Sequence, residues 1–142
     1  MNPQILVPYD GSDTANAALR YAVERFPNAS IELFHVVEPF AEHTDAGAED
    51  SQRRWFQKAT NYANEVFEIA QTVLEDYDRS IKMEWRYGRP GHVIVDRVNE
   101  GDFDYVIMGS HGRSGIERML LGSVAETTLR RSPVPVTIIP KQ

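Results

Sequence analysis

The chain has 142 residues and a formal charge of −6, with 42% hydrophobic residues, 25% charged residues and no cysteine. That length fits one domain over residues 1–142 with a core that needs no disulfide or metal, and the lack of cysteine excludes a disulfide framework, a thiolate nucleophile and Cys-ligated zinc. No apolar run reaches the roughly 18 residues of a membrane span, the start lacks the features of a secretory signal so that a cytoplasmic location is expected, and the acidic balance argues against non-specific nucleic-acid binding.

The first apolar run, at residues 5–7, is continuous, as in a strand buried on both faces of a parallel sheet. Asp10, Gly11, Ser12 and Asp13 form the loop that follows it. A first helix then places Ala15, Ala18, Leu19, Ala22 and Phe26 on one face. Residues 31–37 make the second strand, and residues 38–50, which carry acids and no lysine or arginine, predict a surface loop. The second helix is longer. Its Phe56, Ala59, Ala63, Val66, Phe67, Ala70, Val73, Leu74 and Tyr77 recur at spacings of three and four, a stripe that faces a sheet.

Residues 81–85 alternate in polarity and predict an edge strand. A third helix spans residues 92–99, with Gly101 as its stop. Residues 105–108 repeat the continuous apolar pattern of the first run, and a glycine-rich loop with Gly109, Gly112 and Gly115 follows. Ser123 and Glu126 form an S-x-x-E capping box, which predicts Ser123 as the N-cap of a fourth helix ending near Arg131. Residues 134–139 form the last strand, and Pro133, Pro135 and Pro140 suit an edge or strand ends rather than a central position.

This alternation of strands and helices predicts a three-layer α/β fold, doubly wound around a five-stranded parallel sheet with right-handed crossovers. In such sheets a ligand binds beyond the carboxyl ends of the strands, where the strand order reverses. The loops after the first and fourth strands would then face one crevice. The second of these has the chemistry of an anion site. Its glycines let the backbone approach a ligand, Gly122 and Ser123 open a helix N-terminus, and Arg113 and Arg118 add positive charge. Residues 109–142 carry a net +3 against −9 for the remainder, so the basic quarter begins at this loop.

Two phosphate motifs are missing. There is no G-x-x-x-x-G-K-[ST], with no lysine between Lys82 and Lys141, and no G-x-G-x-x-G follows the first strand. The four histidines have no metal-ligand spacing, and His35 reads as a structural residue of the second strand. The serines lack a G-x-S-x-G elbow.

The pattern Gly109-x2-Gly112-x9-Gly122-Ser123 resembles the nucleotide signature of the universal stress protein family. The resemblance covers almost the whole chain. It includes residues 5–12, residues 33–37, Gly88-Arg89-Pro90, residues 108–113 and the closing S-P-V-P-V. It implies a Rossmann-like sheet of order 3-2-1-4-5, of the adenine nucleotide alpha hydrolase-like type, with ATP bound between the first and fourth strands. Val36 would then meet the adenine through its backbone, and Asp10 the ribose or an accompanying Mg²⁺. Gly109 and Gly112 would approach ribose and phosphate, while Gly122, Ser123 and Val124 cradle the phosphates. Pro8, Met108 and Arg113 complete the implied nucleotide-binding set, with no catalytic residue assigned. Pro8 and Tyr9 depart from the small residue many members carry before the aspartate.

Several of these residues have a plain structural alternative. Asp10 would serve equally in an Asx-turn before Gly11, Ser123 as a helix cap, and Arg113 as a solvated loop charge. The expected function is that of an ATP-binding regulator in the stress response, with ADP or AMP as other possible resting ligands. The alternatives are a slow ATPase or self-phosphorylating phosphotransferase, and an interaction module with a vestigial site. A homodimer through Val136, Thr137 and Ile138 of the last strand is also expected, since an apolar edge invites pairing.

Overall fold

The computed structural model describes residues 2–39, 49–112 and 121–140. Its elements run β1 (Gln4–Pro8), α1 (Asp13–Arg25), β2 (Ser30–Val37), α2 (Glu49–Leu74), β3 (Lys82–Tyr87), α3 (Pro90–Glu100), β4 (Tyr105–Gly109), α4 (Ser123–Arg131) and β5 (Val136–Ile139). The strands form one parallel sheet of order β3-β2-β1-β4-β5, as expected. β1 is central, and its Ile5, Leu6 and Val7 are fully buried, which explains the unbroken apolar run.

The alternation of side chains along each strand divides the core into layers. Ile5, Val7, Leu33 and Ile107 face α1 and α2, where they meet Ala18, Leu19, Val66 and Ala70. Leu6, Phe34, Val106 and Met108 face α3 and α4, against Ile94, Val98 and Ala125. The predicted edge positions of the third and fifth strands hold. The fifth is shorter than expected and starts at Val136, because Pro135 has no N–H to add to the ladder; its carbonyl accepts from Val106 N instead, at 3.0 Å.

Two helix expectations need correction. Phe56 is not on the sheet-facing stripe of α2, since it is 59% exposed. The buried line Ala59, Ala63, Val66, Ala70 continues backward by four residues to Trp55, whose ring meets Tyr87 edge-on at 4.3 Å. The start of α3 lies at Pro90 rather than residue 92, because proline suits the first helical position. Gly101 does end α3, but in an extended conformation (φ −102°). What excludes a side chain there is space: a Cβ would lie 2.5 Å from the Phe103 ring.

A charged pair sits inside the α3 layer. Glu32 of β2 is 5% exposed and points toward α3. Arg97 donates to it from two nitrogens, each at 2.7 Å, and the guanidinium lies 5.1 Å from the Phe103 ring centroid. The hydrogen bond to Glu32 raises the Arg97 pKa above its ordinary value. Elsewhere, Arg79 donates to the carbonyls of Val23, Phe26 and Ala29, fastening the end of α1 to the chain that enters β3.

Removing Arg97 takes both short bonds from the buried Glu32 carboxylate and leaves it the more distant Lys82 Nζ, at 3.6 Å. Arg97→Ala is expected to destabilise the fold by about 3 kcal/mol in urea denaturation, and Glu32→Leu combined with Arg97→Met to recover most of that loss. Equal stability of Arg97→Ala and wild type would show that the pair carries no such weight.

Candidate functional site

The site forms where the chain leaves β1 and β4, adjacent strands whose exits both turn toward helices. At the β1 exit, Gly11 takes φ +79°, and Ser12 N donates to Asp10 Oδ1 at 3.0 Å. The Asx-turn reading of Asp10 therefore holds for one carboxylate oxygen. Ser12 then caps α1, its hydroxyl accepting from Ala15 N at 3.2 Å. Tyr9, the departure from family pattern, is buried in the α1 layer, and its hydroxyl donates to Asn16. His35 Nδ1 lies 2.8 Å from the Tyr9 carbonyl, in keeping with a structural histidine.

At the β4 exit the backbone runs close to α1. A Cβ on Gly109 would lie 2.6 Å from the Thr14 carbonyl carbon and 2.7 Å from its Cβ. Thr14 donates its hydroxyl to the His111 carbonyl. Ser110 is a junction: its N–H donates to Ile139 O at 2.9 Å, its carbonyl accepts from Gly122 N at 2.7 Å, and its hydroxyl lies 2.9 Å from His111 Nδ1.

That Gly122 bond corrects the expected capping box. The N-cap of α4 is Gly122, in extended conformation (φ −70°, ψ 161°), and among the described residues no side chain caps the helix. Ser123 is the first helical residue instead, and Glu126 turns to Arg130, 3.0 Å away. The physical reason is the long-range bond to Ser110, which fixes where the chain enters the helix. A Cβ at Gly122 would also come within 3.1 Å of Ser110 O. Ser123 is left exposed on the crevice wall, with its hydroxyl free of capping duty.

Between these loops opens a crevice of about 590 Å³. Pro8, Asp10, Val36, Met108, Gly109, Gly112, Gly122, Ser123 and Val124 all line it. Arg113, the remaining predicted contact, lies outside the described residues, as does Arg118. Asp10 and Gly112 face each other closely, since a Cβ on Gly112 would sit 2.7 Å from Asp10 Oδ2. The N-terminus of α4 opens on the same space, so backbone N–H groups and the positive helix end favour an anion there. Apolar groups make the other wall: Phe34, Val36, Ile94 and Met108.

Sequence reasoning missed Thr14, Ser110 and Tyr62. Tyr62 of α2 lines the crevice although it is 45% exposed. The only advance signal for Thr14 was a hydroxyl in the first turn of a helix that Ser12 already caps. Among the described residues, no group of three or more His, Cys, Asp or Glu is placed to hold a metal, and no helix is long and apolar enough to cross a membrane.

Comparison with known proteins places this architecture. The model of the universal stress protein family matches residues 1–140. The universal stress protein MJ0577 of Methanocaldococcus jannaschii is 28% identical over 158 aligned positions, covering 100% of this chain and 97% of the relative. Its solved structure superposes with a TM-score of 0.82 over 100% of this chain and 98% of that one. A universal stress protein solved in complex with cAMP is 26% identical, with a TM-score of 0.62 and coverage of 96% of both chains. A family protein from Arabidopsis thaliana solved with AMP bound shares the fold, at 15% identity and a TM-score of 0.69 over 99% of this chain and 92% of that one.

The contact between Gly109 and Thr14 leaves no room for a methyl group. Gly109→Ala is expected to lower stability by about 2 kcal/mol, the range of an overpacked core site, read as a lower urea midpoint at unchanged slope. An unchanged midpoint would mean that β4 can withdraw from α1 without cost.

Proposed function

The chain belongs to the universal stress protein family, and from that premise we propose that it binds an adenine nucleotide, ATP, in the crevice between β1 and β4 and acts as a nucleotide-dependent regulator in the stress response. The observation that carries the reading is the open N-terminus of α4. Among the described residues no side chain caps it, its first residue Ser123 is exposed, and it faces Asp10 and Gly112 across one crevice. The cAMP and AMP complexes of relatives support the adenine class of ligand.

In this reading Val36, Pro8 and Met108 border the base, and Gly109 and Gly112 let ribose and phosphate lie against backbone. Gly122, Ser123 and Val124 receive the phosphates. Asp10 takes the ribose or a Mg²⁺ ion. The residues present fit such an ion only in part. Asp10 and Glu38 both reach the crevice wall, and no triad of metal ligands surrounds Asp10 among the described residues. Of these, Asp10 would supply one carboxylate, with phosphate oxygens and water completing the shell of Mg²⁺. The ion would neutralise charge between Asp10 and the phosphates. Binding linked to conformation or assembly, rather than rapid turnover, agrees with a phosphate loop that has no lysine between Lys82 and Lys141.

The proposed output is assembly through β5. This strand lies at the sheet edge, and its Val136, Thr137 and Ile138 are half-buried. A second copy pairing there would be isologous.

Isothermal titration with ATP and Mg²⁺ is expected to give saturable one-to-one binding. Gly112→Val, which drives a side chain into Asp10, should weaken it by about tenfold or more, a loss of roughly 1.4 kcal/mol. Chelating the metal should weaken ATP more than AMP, because the longer phosphate chain then faces Asp10 unscreened. No saturable heat from the wild type, or identical binding by Gly112→Val, overturns the reading. For assembly, sedimentation should give a dimer at micromolar concentration, and Thr137→Lys should shift it toward monomer.

A further inference from the structure

We propose that Thr14 is the positioning residue of the phosphate-facing loop, setting the backbone at His111 and Gly112 without touching the ligand itself. The proposal rests on the reading of the crevice as an adenine-nucleotide site.

Thr14 is 5% exposed and does not line the crevice, whereas its neighbours Ser12 and Ala15 do. Thr60, Thr72 and Thr128 return their hydroxyls to a carbonyl of the preceding helical turn. Thr14 is the second residue of α1 and has no preceding turn, so its hydroxyl is available to a distant partner. Its hydroxyl reaches 97 residues along the sequence and donates to the His111 carbonyl. The same oxygen lies 3.4 Å from His111 N, so both backbone groups of one loop residue converge on one hydroxyl. Capping of α1 does not require this, because Ser12 fills that role.

The loop held in this way is the one that lines the site. Gly112 follows His111 directly and stands against Asp10. Glycine has the widest choice of backbone conformations, so Gly112 by itself would leave the loop poorly defined. A fixed His111 carbonyl restricts that choice. Ser12 Oγ also donates to the carbonyl, at 3.4 Å, a long second bond from a hydroxyl that accepts from Ala15 N at the same time. Binding energy gained from backbone N–H groups depends on their being aimed before the ligand arrives. The cost of losing Thr14's hydroxyl should therefore fall more heavily on phosphate-bearing ligands than on the nucleoside, which meets Gly112 through its ribose alone.

The test compares ATP with adenosine, by titration, on wild type, Thr14→Val and Thr14→Ser. Thr14→Val removes the hydroxyl and keeps the shape. It is expected to weaken ATP about tenfold, because the part-buried His111 carbonyl loses its short bond and keeps the longer one from Ser12, while adenosine weakens by about threefold or less. Thr14→Ser restores the hydroxyl and should return ATP binding close to wild type. Hydrogen–deuterium exchange of the ligand-free protein should rise at residues 110–112 in Thr14→Val and not in Thr14→Ser. Should Thr14→Val fail to fold, Thr14→Ala removes the same hydroxyl without added bulk. Equal losses for ATP and adenosine, failure of Thr14→Ser to rescue, or unchanged exchange at residues 110–112 overturns the role of Thr14. A wild type that binds neither ligand overturns the nucleotide reading instead, and the exchange measurement then decides whether Thr14 sets the loop at all.

Discussion

The close passage of β4 over the first turn of α1 is the constraint on which the site depends. Two backbones approach there because Gly109 has no side chain, and Thr14 occupies the space that one would need. The contact sets the separation of the β1 and β4 exits, and so the width of the crevice between them. It also brings a helix hydroxyl within reach of the loop after β4. From that loop, Ser110 passes the constraint on in both directions, to β5 through Ile139 and to α4 through Gly122. The cradle is therefore built mainly from backbone, with glycines where chains meet and few charged side chains.

The two faces of the sheet are fastened differently. On the α1 and α2 side, small residues such as Ala15, Ala18, Ala22, Ala59, Ala63 and Ala70 let the helices lie close to the strands, and the layer is apolar. On the α3 and α4 side, Glu32 and Arg97 place a bidentate ion pair beneath the helix. Such a pair adds little net stability over an apolar replacement, but it tolerates few alternative positions of α3 on the sheet. α3 in turn packs beside α4, whose N-terminus faces the crevice.

Much of this was legible in the sequence. The unbroken apolar run at Ile5, Leu6 and Val7 marked a parallel strand buried on both faces, and β1 is one. The spacing of Gly109, Gly112 and Gly122 marked three residues that the structure gathers around one crevice. The misreadings arose where a distant partner decides between two local choices. A capping box at Ser123 is sound by local rules, but Gly122 is pinned to Ser110 and the helix starts from there. Spacings of three and four fit both Trp55 and Phe56; Trp55 meets the Tyr87 ring at 4.3 Å, whereas Phe56 stands 6.0 Å from the Trp85 ring and stays exposed. Thr14 with His111, and Glu32 with Arg97, join residues far apart in sequence. No short window contains either pair.

The bond from Gly122 to Ser110 has a consequence for how the sheet edge and the crevice communicate. It brings α4 back to the end of β4, since a Cβ on Gly122 would lie only 3.9 Å from Gly112 N. Ser110 N also donates to Ile139 O, so the ends of β4 and β5 and the start of α4 are tied through one residue. A strain applied at the β5 edge therefore reaches the crevice wall through two hydrogen bonds.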